Sequence, residues 1–344
     1  MKPARIFLSC GMLIASGLVA ACEDSNQTLS PVIDVHVHAD PVQEFGPPGQ
    51  SFCLPFPGLP PLDAGKAKWP DYFFDMLRNP PCDNATPAAA TDEELMRDTL
   101  AVLERRNVIG VVGGPVEHVA KWREAAPERV IPALRFNLAR DAGITPEDIA
   151  KLHQDGKIEV VAEVTNQYAG FPPNAPEMEP YWAMAEENGI PVGIHIGTSP
   201  PGSAYMFEGH RFGIADPVLL EEVLVKHPNL RVWVMHAGYP LTERMIGMML
   251  QYPQLYVGTG VLQVAEPRAA YYAMLKKMVD AGLGERIMFG SDQMMWPGII
   301  EASIKAVEEA PLTEKQKRDI LYNNAARFFR LSEEEIARHH AGLN

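Results

Sequence analysis

Two histidines two positions apart, His36 and His38, lie in the run Val32-Ile-Asp-Val-His-Val-His-Ala-Asp40. Apolar and polar residues alternate there, so the run reads as a β-strand with period two. Positions two apart share a strand face, about 6–7 Å apart along the backbone. Two neutral imidazole nitrogens so placed can converge on one metal ion. By itself His-x-His is more often a satisfied or solvated pair than a metal site. The chemistry therefore depends on whether further ligands stand at the ends of later strands.

Apolar runs at 108–112, 130–136, 160–164, 192–196, 232–235, 255–257 and 287–289 read as buried strands. Helical patterns alternate with them at 116–126, 146–154, 180–188, 217–226, 241–251, 267–281 and 298–310. A charged helix is expected over 91–106, with Thr91 as N-cap and Glu94 three residues on. With the histidine strand this makes eight β–α units in about 300 residues, the pattern of a (β/α)8 TIM barrel, an α/β fold. A doubly wound open sheet is the competitor, but it would carry a glycine-rich phosphate loop after strand one, where this chain has histidines.

Barrel enzymes place their chemistry at the C-terminal ends of the strands. Those ends hold His36 and His38, then Arg135 and Asn137, Glu163, His195, His236 and Asp292. One buried histidine is most often structural; three histidine-bearing strands with Glu and Asp at one rim point to a metal or catalytic cluster. Val161, Glu163 and Thr165 share a strand face, taken as the barrel interior. An ionised carboxylate there is costly unless paired or coordinated. Glu163 is then either coordinated or an acceptor for a histidine N–H. Arg135 could fork onto a substrate carboxylate, with Asn137 beside it, or pair with acidic neighbours. The stretch 202–211, with Tyr205, Phe207, His210 and Arg211, reads as surface loop rather than pocket wall.

The 344 residues are 47% hydrophobic, which excludes a disordered chain. A formal charge of −14 argues against a nucleic-acid partner. Residues 1–22 read as an export signal: Lys2 and Arg5, an apolar stretch 6–20 too short to span a bilayer, then Leu18-Val-Ala-Ala-Cys22. Small residues before a cysteine resemble a bacterial lipoprotein signal, with Cys22 lipidated; a plain secretory signal is the alternative. Residues 23–31 would be a polar tether, making the lipid the only membrane contact and the cell envelope or periplasm the location. Without the leader, 28 basic residues face 44 acidic ones, a net −16. Cys53 and Cys82 remain in the folded part, as a disulfide in an oxidising compartment or as two unpaired thiols. Both fall in the insertion 41–90, which holds eleven prolines and is rich in aromatics, and so reads as a packed lid. The domain is expected over 32–331, with terminal helices at 313–322 and within 332–344.

The ordered segments Asp34-Val-His-Val-His38, Gly193-Ile-His-Ile-Gly197, Val234-Met-His-Ala-Gly238 and Phe289-Gly-Ser-Asp292 resemble the amidohydrolase superfamily. They are closest to the branch that includes aminocarboxymuconate-semialdehyde decarboxylase. The tail Ile320-Leu-Tyr-Asn-Asn-Ala-Ala-Arg-Phe-Phe329 looks like that branch's C-terminal segment. The resemblance implies a first metal at His36, His38 and Asp292. In one-ion relatives His195 joins them and His236 orients or protonates the substrate. In two-ion relatives His195 and His236 hold a second metal, bridged by a carboxylated lysine or a glutamate. Position 163 here is Glu. Zinc is the expected divalent ion, with manganese or iron fitting a mixed N/O site. Asp292 would take the proton of a metal-activated water. These implications lead to a hydrolase of a carbonyl-type bond in a small molecule (ester, lactone or amide). The alternatives are a nonoxidative decarboxylase of an aromatic or unsaturated acid, and a tethered binding protein without catalysis. An oligomer is compatible with all three.

Overall fold

The computed structural model describes residues 29–59, 61–197 and 199–343. The leader, Cys22 and most of the tether lie outside them. Among the described residues eight parallel strands form one sheet, in sequence order around a nearly closed barrel. They are β1 (Val32–His38), β2 (Val108–Gly114), β3 (Val130–Phe136), β4 (Val160–Val164), β5 (Val192–His195), β6 (Val232–Met235), β7 (Tyr256–Gly258) and β8 (Ile287–Met288). The seam between the last and first strands is joined by Val35 N donating to Phe289 O at 2.9 Å.

The strands are buried on both faces, which explains their near-continuous apolar runs. Ile33, Val35, Ile109, Val111, Val160, Ala162, Trp233 and Met288 form one cluster along the barrel's interior. A larger cluster, with Leu134, Phe136, Val161, Trp182 and Met245, lies between strands and helices. Gly193 makes room for the biggest interior side chain: a Cβ there would run into the Trp233 ring.

The helices follow the sequence pattern with shifted ends. Thr91 accepts from Glu94 N at 3.1 Å and caps Asp92–Arg105 as expected. The 217–226 pattern resolves into a 3₁₀ turn, Pro217–Leu220, running into Glu221–Lys226. The 313–322 helix is interrupted: Glu314–Arg318 opens into a wider π turn, Asp319–Asn323, before Asn324–Phe329. No described helix is long and apolar enough to cross a membrane.

The insertion after β1 is a packed unit. It holds the turn Val42–Phe45, antiparallel strands Ser51–Cys53 and Ala85–Pro87, and the helix Trp69–Arg78. Cys53 and Cys82 are disulfide-bonded. Phe52 packs on Phe56 and on Trp296, which seats the insertion on the segment after β8.

Candidate metal centre

The end of β1 is joined to the segment following β8. Asp34 Oδ1 accepts from His36 N at 3.0 Å and from Ser291 N at 2.8 Å. Gln293 accepts from His38 N at 2.9 Å and donates to His38 O at 2.7 Å. Asp292 N donates to His36 O at 2.8 Å. These bonds bring Asp292 beside two histidines more than 250 residues away in the chain. Asp292 and His236 both carry positive φ, +53° and +62°. Left-handed backbone at non-glycine residues costs about 1–3 kcal/mol and concentrates at functional sites.

Two buried triads result among the described residues: His36, His38 and Asp292, and Glu163, His195 and His236. Within each, one ligand atom per residue lies within 4.8 Å of the others. Glu163 spans both. Its Oε2 is 3.7 Å from His36 Nε2, while Oε1 contacts His195 Nδ1 and lies 3.3 Å from His236 Nε2. His195 Nδ1 and His236 Nε2 are 2.9 Å apart.

The outward-facing nitrogens set the tautomers. His38 Nδ1 is 2.8 Å from Asp40 Oδ2, His236 Nδ1 is 2.9 Å from Gly260 O, and His195 Nε2 is 3.3 Å from Ser199 Oγ. Asp40 and Gly260 O can only accept, so a proton on His38 Nδ1 and on His236 Nδ1 leaves their Nε2 atoms facing the cluster, whereas Ser199 Oγ can donate or accept and leaves His195 free to present either nitrogen as donor. His36 is 4% exposed, and neither ring nitrogen has a hydrogen-bond partner. An orphaned imidazole beside two carboxylates is what a cation site requires, because buried polar atoms are otherwise paired. The residues present therefore fit a divalent metal.

The electrostatics agree. Burial alone would raise the Asp292 carboxyl, yet His36 and His38 hold it down at about 2. Burial opposes charge on His38, but the bonds it donates to Asp292 and Asp40 outweigh it and raise the ring to about 10, so without a cation Nε2 keeps a proton that a bound metal would displace. Glu163 is held well below the ordinary range by His195, His236 and His36 despite its burial. His36 and His195 are pushed down by burial, towards the neutral form that ligates. Two ionised carboxylates buried among imidazoles are costly without positive charge among them.

Glu163 does not reach the site by simple alternation. Val161 packs outward with Phe136, Ile149 and Trp182, while Val160 and Ala162 line the interior. The register of β4 against its neighbours shifts between Ala162 and Val164, and that irregularity turns Glu163 inward. The shared interior face expected for Val161, Glu163 and Thr165 is thus corrected at Val161.

Arg135 and Asn137 are engaged within the protein. Arg135 Nη1 is 3.0 Å from Asp40 Oδ1 and Nη2 contacts Glu44. Asn137 donates to Thr165 O at 2.8 Å and accepts from Ala139 N at 3.0 Å, tying the loop after β3 to the end of β4. The 202–211 stretch is partly a wall. Tyr205 is exposed, but His210 is buried, 3.0 Å from Ser199 Oγ, and Phe207 packs at a tilt against Tyr168, whose ring lies 4.9 Å from that of His195. Sequence reasoning missed Asp40, Ser199, Tyr168 and Gln293. Only Asp40 left a signal, standing two residues beyond His38 on the same strand parity.

Comparison with known proteins follows the same lines. The family described as Amidohydrolase matches residues 33–331. An uncharacterised TIM-barrel protein from Bordetella bronchiseptica superposes with a TM-score of 0.59 at 21% identity, covering 90% of this chain and 100% of that one. A probable 2-pyrone-4,6-dicarboxylic acid hydrolase from Acinetobacter baumannii gives 0.55 at 15% identity, covering 87% and 99%. A dihydroxybenzoic acid decarboxylase from Polaromonas, holding manganese and the inhibitor 2-nitroresorcinol, gives 0.56 at 14%, covering 89% and 99%. At these identities the likeness is one of fold. No curated protein matches by sequence.

Proposed function

This chain belongs to the amidohydrolase family, and on that premise we propose that it is a metal-dependent hydrolase of a carbonyl-type bond, an ester, lactone or amide, in a small molecule. The position of Glu163 carries the reading. One of its oxygens faces His36 and the other contacts His195 and His236. Were divalent ions bound, His36, His38 and Asp292 would hold one and His195 and His236 a second, with Glu163 within reach of both. Zinc suits so much imidazole, while manganese, held by the decarboxylase neighbour, and iron suit the carboxylates. Divalent ions there supply a Lewis acid and lower the pKa of water.

The chain's own groups do the rest. Asp292, ionised at neutral pH, can accept a proton from the attacking water at Oδ2 and return it to the leaving group. Oδ1 of the same carboxylate already faces His38 Nε2 at 2.9 Å. Gly260 O holds the His236 ring in orientation. Tyr168 and Phe207 narrow the rim on the His195 side.

A decarboxylase acting on an aromatic or unsaturated acid is the second reading. Its support is the direct contact of Glu163 Oε1 with His195, the arrangement of a carboxylate that orients a ligand rather than bridging ions. Elemental analysis of wild type and Glu163→Gln separates the two, alongside assays for acid release from esters and lactones and for carbon dioxide release from aromatic acids. Two ions in wild type and one in the variant, with acid release, support the hydrolase. One ion in both, with carbon dioxide release, supports the decarboxylase. Absence of metal-dependent turnover after chelation and reloading would favour a tethered binding protein instead.

We also propose that the protein is exported and lipid-anchored at Cys22. Pro31 precedes β1 at the barrel's N-terminal end, so a tether leaves the face opposite the metal centre. Cys22→Ser should move the protein from the membrane fraction to the soluble fraction; an unchanged distribution would count against the anchor.

A further inference from the structure

His38 ends a line of alternating charges. Its Nδ1 is 2.8 Å from Oδ2 of Asp40, which is 1% exposed. Arg135 Nη1 stands 3.0 Å from the other oxygen of that carboxylate. The approach is off the line of an N–H···O bond, so the pairing is coulombic rather than a hydrogen bond. Arg135 Nη2 reaches Glu44 Oε2, and Arg140 Nη1 lies 3.4 Å from the same oxygen while Arg140 also pairs with Asp141 at 3.0 Å. Glu44 sits on the turn Val42–Phe45 that opens the insertion, and Phe45 stands edge-on to the His38 ring at 5.3 Å between centroids. The turn Val42–Phe45, just beyond His38, and the distant segment at the end of β3 thus converge on one imidazole.

Among the described residues Asp40 has no polar side-chain partner besides His38 and Arg135. It ties down no backbone group, so its burial is not explained by holding a turn. We propose that Asp40, clamped by Arg135, is the positioning residue that fixes His38 with Nδ1 as donor and Nε2 turned to the metal centre, and that Glu44 couples the insertion to retention of that metal. The proposal rests on the metal-centre reading above. It gives Arg135 a task other than gripping a substrate carboxylate. Without Asp40 the ring can take the other tautomer or turn about its side-chain bonds, and the lone pair at Nε2 is presented for less of the time.

Zinc affinity, measured by competition with a chromogenic chelator on metal-stripped protein, tests this without any substrate. Asp40→Ala should bind zinc about 10–100-fold more weakly, the usual effect of removing a carboxylate behind a metal-bound histidine. Asp40→Asn keeps an acceptor oxygen without the charge and should fall between wild type and Asp40→Ala. Glu44→Gln should lose about two- to fivefold, as for a partly exposed ion pair. Arg123→Gln, which breaks the pair with Glu159 outside this line, should leave zinc affinity unchanged. Thermal unfolding of the metal-free proteins controls for folding. Should Asp40→Ala fail to fold, Asp40→Asn and Glu44→Gln carry the test. Wild-type affinity in both overturns the coupling while leaving the metal enzyme intact. A wild-type protein that takes up neither zinc nor manganese overturns both readings.

Discussion

Gly260→Ala disturbs the metal centre with a single methyl group. Gly260 follows β7 and lies against the His36 ring. A Cβ there would come 2.6 Å from His36 Nδ1, 3.3 Å from Asp292 Cβ and 3.4 Å from His36 Cγ. Ordinary contact begins near 3.4 Å, so ring or loop must give by about 0.8 Å. The φ of Gly260 is outside the left-handed range, so alanine suffers no backbone penalty and the effect is purely one of space. Movement of the loop would also shift Gly260 O, the acceptor that holds His236. A displacement near 1 Å in a catalytic group can cost about 10²-fold in rate. Overpacking costs about 1–3 kcal/mol of stability. The assays are metal-dependent kcat/KM, zinc affinity and thermal unfolding of the metal-free protein. We expect kcat/KM down about 10²-fold and stability down by the overpacking cost. Gly247→Ala is the control. It sits within the helix Thr242–Gln251 with nothing within 4 Å, and should gain about 0.5–1 kcal/mol with full activity. Wild-type turnover and zinc affinity in Gly260→Ala would refute the claim that close backbone contact holds His36 in place.

His36→Ala and Asp292→Ala should each abolish metal-dependent turnover while circular dichroism stays native; near-normal turnover in either would show the site to be misassigned. Burial raises Asp34 to about 7 from an ordinary 3.8, outweighing hydrogen bonds from Ser291 and His36. Between those two pH values the folded metal-free protein holds a proton that the unfolded chain releases. Stability therefore falls as pH rises through that window, by about 4 kcal/mol at 1.36 kcal/mol per unit. Asp34→Asn should flatten that part of the denaturation profile, and parallel profiles would refute the assignment. Cys53 and Cys82 are 29 residues apart, so the double serine variant should lose about 3–4 kcal/mol in the loop-closure model. Urea unfolding with and without reductant measures it, and an unchanged midpoint would count against stapling of the insertion.

The barrel was legible because its signal is repeated. Each strand is a short apolar run, each helix an amphipathic pattern, and eight alternations leave few topologies. The capping of Asp92–Arg105 by Thr91 was legible for the same local reason. Helix continuity was less so. The 313–322 pattern gives no local sign of the π turn at Asp319–Asn323, which allows Asn324 to donate to Ile287 O and Gly284 O. Glu163 was legible as a residue and as facing inward, but the alternation used to place it put Val161 inward too, and a shift of register between strands sends Val161 outward.

The sequence by itself determined the donor set: histidines, Asp292 and Glu163 placed at strand ends, because residue type and strand period are local properties. It also determined that Arg135 stands at a strand end, but not what it holds. The tertiary structure decided that Arg135 faces Asp40 and Glu44, that Asn137 ties one loop to the next strand, and that Glu163 belongs to one triad and reaches His36 of the other. It also decided that Nε2 of His236 faces the cluster, through Gly260 O, an acceptor that carries no sequence signature. Those choices depend on contacts between segments up to 257 residues apart, and on one irregular step in a strand. Periodicity along the chain encodes neither.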